Sequence, residues 1–389
     1  MAKSHSFDSG MRILMTLQYL HNLTESYGEN ALTIVKVKQL AEYLTSECGM
    51  PTSRDTAKKI LDAIYESDTG YHIERQISEG GQTLYKYRRT FTLEQISLLS
   101  TIICSSMFLG EYEIEKLLGQ LRNLTSEENA KSLPCLESFL RPRMINAEAL
   151  GNLRIIYEAI NNKKTLSFYL GSMDAEKNIY YDKSKKENDP EFKRVIFNYK
   201  TNERKEKNLK KTSSYQGKPI TCSPYSLVWD NSRCYLICSV LHDNNNYLWN
   251  YRVDRLFELK ISDELYNKGK WSPFYDFKKG NLDAEEYLHS IFKMFPSRAP
   301  LIKVALKFKD RLVRVIVEKF GFETEIKRIN EEYMMAEVKV QVSKQFYGWL
   351  AGFESEDLSL VSPAEEVEKY KNYLKKALDY YSTNDVALK

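Results

Sequence analysis

Thr52-Ser53-Arg54-Asp55-Thr56-Ala57-Lys58-Lys59-Ile60-Leu61-Asp62-Ala63-Ile64 is the stretch that decides how the opening part of the chain folds. Cys48-Gly49-Met50-Pro51 interrupts the pattern before it, and Thr52 or Ser53 then offers a side-chain oxygen to cap a new helix. Ala57, Ile60, Leu61 and Ile64 recur at spacings of three and four, so one face of that helix is apolar. Arg54, Lys58 and Lys59 fall on the other face. Upstream, Ile13, Leu14, Leu17, Leu20 and Leu23 predict a first amphipathic helix, and Val37, Leu40, Ala41 and Leu44 a second over residues 33–44. Downstream, residues 71–76 and 83–88 read as strands joined by Ser78-Glu79-Gly80-Gly81. Three helices followed by a hairpin are a winged helix-turn-helix layout, assigned to residues 1–90.

A helix that reads duplex DNA needs small donors at its N-terminus and cations along one face. Thr52, Ser53, Arg54, Thr56, Lys58 and Lys59 meet that description, and Arg54 is placed to reach a base edge. Arg75, Lys86, Arg88 and Arg89 lie on or beside the wing, where groove or phosphate contact is expected. Acidic and basic residues are about equal over this region, so the bland alternative is an ordinary solvated surface. Binding then requires a segregated basic face and two copies acting together.

Further along, residues 91–162 read as helical. Thr92-Leu93-Glu94-Gln95 opens one helix, Ile114, Leu117, Leu118 and Leu121 are in phase in another, and residues 153–160 form a last one. A connector and dimer-contact role is expected for this block. Strand periodicity starts at Thr165, with runs at residues 166–170, 195–199, 220–222, 227–229, 234–240 and 247–261. Short strands with tight turns such as Asp230-Asn231-Ser232 predict a small antiparallel β-barrel over residues 163–270. Within it, residues 171–218 are polar and lysine-rich, including Lys183, Lys185, Lys186, Lys200, Arg204, Lys205, Lys207, Lys210 and Lys211. The favoured reading is a solvated, partly mobile insertion; the sharper one is a flap that attracts polyanions. Residues 290–389 read strand, helix, strand, helix and terminal helix, with Trp349 and Phe353 at helical spacing as core. The fold class is α+β multidomain.

The chain has 389 residues, 42% of them hydrophobic, which exceeds one domain's usual length and is enough to build cores. Its formal net charge of +4 is too small to argue for nucleic acid by itself. Cys48, Cys104, Cys135, Cys222, Cys234 and Cys238 form no CxxC pair, so buried reduced thiols are expected rather than disulfides or a metal site. His5, His21, His72, His242 and His289 stand in no catalytic motif, and no phosphate-binding Gly-rich loop occurs. No catalytic residue, cofactor or metal is assigned. The first ten residues lack an apolar signal core and no apolar run spans a bilayer, so a cytoplasmic protein without membrane contact is expected.

Cys234-Tyr235-Leu236, followed by Asn250-Tyr251-Arg252-Val253-Asp254-Arg255-Leu256, resembles the WYL-domain transcription regulators, named for a Trp-Tyr-Leu tripeptide on a central strand. Ser223-Pro224-Tyr225-Ser226-Leu227-Val228 before it, and Tyr347-Gly348-Trp349-Leu350-Ala351-Gly352-Phe353 with Val361-Ser362-Pro363 near the end, fit the same pattern. The similarity covers nearly the whole chain, in the order winged helix, helical linker, SH3/Sm-like WYL barrel and C-terminal extension. Cys234 replaces the tryptophan, Trp249 stands near a position where many relatives carry arginine, and the lysine-rich insertion is unusually long. The resemblance implies a bacterial DNA-binding regulator, often a repressor, acting as a homodimer on an operator. It further implies a negatively charged effector, a nucleotide or single-stranded nucleic acid, at the barrel. Strand alternation over residues 251–255 puts Tyr251, Val253 and Arg255 on one face and Arg252 and Asp254 on the other. Tyr225, Tyr235, Arg252 and Arg255 are the effector-binding candidates, since arginine and tyrosine combine phosphate contact with base stacking. Against this, Arg255 pairing with a buried carboxylate and tyrosines packing in the core would leave no site. An accessory nucleic-acid-binding protein of a bacterial defence system is the alternative function, favoured by the lysine-rich insertion.

Overall fold

The computed structural model describes residues 2–22, 33–67, 72–77, 83–88, 90–135, 146, 148–184, 190–198, 203–213, 216–242, 245–265, 275–276, 281–297 and 299–383. The chain divides into two compact units, Met1–Met144 and Ile145–Lys389.

The first unit opens with helix α1 (Ala2–Asn22), strand β1 (Thr33–Val35), helices α2 (Val37–Ser46) and α3 (Arg54–Glu66), and strands β2 (His72–Ile77) and β3 (Thr83–Arg88). The strands form one sheet in the order β1-β3-β2. The first turn expected of α2 is instead a strand. Thr33-Ile34-Val35 is a β-branched run, which is stiff in a helix and at home on a pleated sheet, and Val35 lies opposite Tyr85 of β3. Leu20, Leu40, Leu44, Ala57, Leu61, Ile64, Ile73 and Tyr85 close one core beneath the helices and sheet. The hairpin turn at residues 78–81 lies outside the described residues. Helices α4 (Leu93–Ser105), α5 (Glu111–Arg122) and α6 (Glu127–Ala130) follow in the same unit. Thr92 and Gln95 form a reciprocal capping box at the start of α4, the helix that Thr92-Leu93-Glu94-Gln95 is expected to open.

The second unit begins with helix α7 (Ala149–Asn161), which the sequence pattern groups with the preceding helices. Asn152, buried in α7, donates to the Leu256 carbonyl at 2.9 Å, and Asn146 donates to the Asp254 and Leu256 carbonyls at 3.2 and 3.1 Å. These side-chain amides satisfy backbone acceptors at a chain reversal and fix the helix to the sheet below it. The next strands are β4 (Lys164–Leu170), β5 (Ser172–Met173), β6 (Ile179–Lys183), β7 (Glu191–Phe197), β8 (Arg204–Lys210), β9 (Ile220–Asp230), β10 (Arg233–His242), β11 (Asn245–Arg252) and β12 (Leu256–Leu265). One antiparallel sheet has the order β11-β10-β9-β4-β12. The single strand expected over residues 247–261 is broken by a 3-10 turn, Val253–Arg255. That turn carries the chain from one edge strand of the sheet to the other, so strand alternation does not hold across it.

The described residues of the lysine-rich segment fold into strands, with the last of them, Arg204–Lys210, largely exposed. Strands β5 to β8 form a second antiparallel sheet in sequence order. Its apolar face packs on the first sheet through near-parallel rings. Tyr181 stacks on Phe257 at 5.0 Å and on Tyr169 at 5.7 Å, and Phe197 lies 5.4 Å from Phe257. A bulge in β12 holds Glu258 at positive φ, and its carboxylate accepts from the Tyr181 hydroxyl and from Lys183 of the inserted sheet. Gly171 joins β4 to this sheet. A Cβ there would meet the Phe257 ring at 2.4 Å, so only glycine fits.

After β12 come β13 (Tyr275–Asp276), β14 (Asn281–Leu282), helix α8 (Ala284–Ser290), β15 (Leu301–Lys309), α9 (Val313–Phe320), β16 (Ile326–Arg328), β17 (Tyr333–Gln341), α10 (Lys344–Leu350), β18 (Leu358–Ser362) and α11 (Ala364–Thr383). The antiparallel order is β16-β17-β15-β18. Val304, Leu306, Phe308, Ile316, Val338, Val340, Phe346 and Leu350 form its core, and Trp349 and Phe353 pack against it. The whole is a mixed α+β chain with several separate antiparallel sheets.

Candidate functional site

Helix α3 is entered through a tightly bonded turn. Thr45 of α2 donates to Ala41 at 2.8 Å and accepts from the Thr52 N–H at 3.0 Å, while the Thr52 hydroxyl donates to Met50 at 2.7 Å. Ser53 is the N-cap: its Oγ accepts from the Thr56 N–H at 3.2 Å and lies 3.0 Å from the Thr56 hydroxyl. The hydroxyls of Thr52, Ser53 and Thr56 therefore shape the helix entrance. Ala57, Ile60, Leu61 and Ile64 are buried, which leaves Arg54, Lys58 and Lys59 exposed on the opposite side.

Arg75 on β2 is engaged with α3. It donates to Asp62 at 3.2 Å and lies over the Tyr65 ring at 5.1 Å. Tyr85 also donates to Asp62, at 2.6 Å. The Tyr85 hydroxyl, opposed by burial and helped by Arg75, holds the Asp62 carboxyl below its usual range. This pair fastens the hairpin to the last turns of α3. Lys86 sits half-buried opposite Glu74. Arg88 ends β3, but its side chain, like all of Arg89, lies outside the described residues.

In the second unit the structure gathers charge around Asp254, whose side chain is 1% exposed. Arg252 grips it with two bonds, Nε to Oδ1 at 3.0 Å and Nη2 to Oδ2 at 2.6 Å. Arg233 approaches the same carboxylate, with Nη1 3.6 Å from Oδ2. That Nη1 is buried and has no hydrogen-bond partner among the described residues. Burial, then repulsion from Arg252, lowers the Arg233 pKa. Arg255 feels the same two effects in the same order. Its Nε donates to the Gly171 carbonyl at 2.7 Å, so it pins the root of the inserted sheet instead of a carboxylate. Two guanidinium groups thus act on one carboxylate with a third beside them, and the cluster carries excess positive charge in a half-buried place.

Tyr235 lies directly opposite Arg252 across the β10–β11 pair and packs against the buried cluster of Ile237, Tyr287, Ile291 and Met294. Tyr225 is elsewhere on the sheet. Its hydroxyl is 2.9 Å from Ser239, which stands four residues beyond Tyr235, about 13 Å along the strand. Of the four effector candidates, the fold brings Tyr235 and Arg252 together, anchors Arg255 beside them and leaves Tyr225 apart. Sequence reasoning misses Arg233 because it reads as the last residue of a turn. Cys234, next to it, is 1% exposed, and burial, then Asp254, pushes its thiol up to about 12, which keeps it protonated at neutral pH.

No family model and no curated protein sequence matches the chain. Among solved structures it is similar to the proteasome accessory factor B/C (PafBC) of Arthrobacter aurescens, with 13% identity, 96% of this chain and 49% of that chain covered, and a TM-score of 0.25. It is also similar to a CRISPR Cas-related protein, with 13% identity, 96% and 92% covered, and a TM-score of 0.33. The chain spans about half the length of the first of these. Scores this low leave the function to be argued from the geometry of the chain itself.

Proposed function

We propose that this protein is a DNA-binding transcription regulator without catalytic activity, acting as a homodimer and repressing from an operator until an anionic effector binds the second unit. The observation that carries DNA binding is the build of α3. Its entrance is fixed by the Ser53 cap, its inner face is sealed in the core, and Arg54, Lys58 and Lys59 project together into solvent beside a β-hairpin. Backbone N–H groups at the capped end and cations along the free face suit phosphate and base-edge contact in a major groove. Effector binding is supported by the arginine pair on Asp254. The unbonded Arg233 Nη1 is a donor without an acceptor, and an incoming phosphate oxygen supplies one. Tyr235 beside Arg252 offers a ring for a base.

The test is binding of the full chain to its own upstream duplex and to a scrambled duplex of equal length, across a salt series. Specific binding at two protomers per site is expected. Arg54→Ala with Lys58→Ala lowers the salt slope by about 2, near 0.9 for each phosphate left without its cation. Equal, weak binding of both duplexes would overturn the proposal.

A further inference from the structure

Residues 95–110 contain no charged side chain, and no longer run of that kind occurs in the chain. Most of the run is α4. A helix at a protein surface turns its apolar residues inward and its charges to water. The helices on either side of α4 in sequence obey this. In α3, Ala57, Ile60, Leu61 and Ile64 are buried and Arg54, Lys58 and Lys59 are exposed. In α5, Ile114 and Leu118 are buried and Glu111, Glu115 and Lys116 are exposed.

Helix α4 does not. Its buried residues are Ile96, Ser100 and Cys104, two of them small, and it packs on α5. Leu98 and Ile102, one turn apart, are 60% and 54% exposed, with Leu99 beside them. Gln95, Leu98, Ile102 and Ser105 follow at spacings of three and four, which is the seam of helices that lie side by side. A helix that is apolar on both sides is covered on both sides in its working form.

We propose, on the two-protomer reading above, that the exposed face of α4 meets α4 of a second copy in an antiparallel pair. Charge decides the occupant. A partner of different sequence is recognised through complementary charges, and residues 95–110 offer none. A helix that meets its own copy about a two-fold axis needs the opposite, because side chains near the axis face themselves and like charges there repel. With the axis at the level of Ser100, Leu98 of each copy lies against Ile102 of the other, and the opposed helix dipoles favour that direction. The contact is small. Its 13 residues of helix are about 20 Å long, and a strip about 10 Å wide covers less than half of the about 800 Å² that a stable interface buries on each partner. Two copies therefore associate weakly when free, and a duplex that holds them on paired half-sites raises their effective concentration and completes the pair.

The experiment is sedimentation equilibrium of the full chain over a wide range of concentration. The wild type is expected to show a reversible monomer–dimer equilibrium with a dissociation constant of about 10 μM or above. Two variants carry the test: Leu98→Glu with Ile102→Glu, and Leu98→Lys with Ile102→Lys. Both positions are exposed, so far-UV circular dichroism and the urea midpoint should stay as in the wild type. Each variant alone is expected to self-associate at least about tenfold more weakly than the wild type. An equimolar mixture of the two is expected to form the mixed dimer, since the antiparallel pair sets opposite charges against each other. A variant that dimerises like the wild type would overturn the α4 contact and leave the two-protomer reading standing. A mixture that stays monomeric would overturn the antiparallel pair, and a wild-type dimer that persists at nanomolar concentration would place the contact on a larger surface than α4. A wild type that is monomeric throughout and binds its upstream duplex as one protomer would overturn both the contact and the two-protomer reading.

Discussion

Replacing Asp254 by asparagine keeps the shape of the side chain and removes its charge. In the wild type the Arg252 and Arg233 side chains are 22% and 21% exposed and face a carboxylate that is 1% exposed. Removing one partner of a buried ion pair costs about 3–5 kcal/mol, because the remaining charge is stranded. Here two arginines are stranded beside each other, but each keeps about a fifth of its surface in water, which lowers the cost to about 3 kcal/mol. For a unit of this size that is a fall of about 6–12 °C in its melting transition. The assay is calorimetric unfolding of the full chain in chloride buffer and in buffer containing inorganic phosphate. Phosphate is expected to restore part of the loss in Asp254→Asn and to stabilise the variant more than the wild type, since it can take the place of the carboxylate. A variant that melts within about 2 °C of the wild type, and gains nothing extra from phosphate, would refute the view that Arg233 and Arg252 form an anion site around Asp254.

Other perturbations test separate parts of the structure. Ser53→Ala removes the α3 cap and should lower the stability of the first unit by about 1 kcal/mol in urea titration, with Ser53→Gly costing less. Lys319 is held between the Leu288 and Ile291 carbonyls and over the Phe292 ring, and burial pushes its pKa from 10.5 down to about 8. Between those values the unfolded chain binds more protons than the folded one, so stability should rise with pH from about 8 to about 10.5, by about 3 kcal/mol. Lys319→Met should flatten that rise in a pH series of unfolding curves. Asn152→Ala leaves the Leu256 carbonyl with one side-chain donor fewer and should destabilise the second unit by about 1–3 kcal/mol, seen as a lower urea midpoint.

Local periodicity was enough to locate most helices and strands. The α3 face, its start at Thr52 or Ser53 and the helix start at Thr92 follow from residues within one or two turns of each other, where the physics is local. The core roles of Trp349 and Phe353 followed the same way. Two boundaries did not. Thr33-Ile34-Val35 is too short to announce a strand, and it becomes one because β3 lies beside it. The 3-10 turn at residues 253–255 is hidden inside a run that alternates like a strand, and it exists because the chain must pass from one sheet edge to the other. Alternation places Asp254 as a neighbour of Arg252 on one face, but it could not show that Arg233, twenty-one residues before Asp254, meets the same carboxylate.

By itself, then, the sequence determined the helix-and-hairpin layout of the first unit, the exposed cations of α3 and the mixed α+β character of the rest. Each depends on side chains a few positions apart, whose relative placement a helix or strand repeat already dictates. Tertiary structure alone decided three things. It assembled the arginines on Asp254 from β10, β11 and a turn, it took Arg75 from the wing to Asp62 of α3, and it turned a polar, lysine-rich segment into a docked sheet. The last rests on a handful of rings, Tyr181, Phe197 and Phe257, scattered over residues 181–257. Composition averages over such a segment and sees only its charge, whereas the fold depends on which few apolar side chains reach the same side of a sheet.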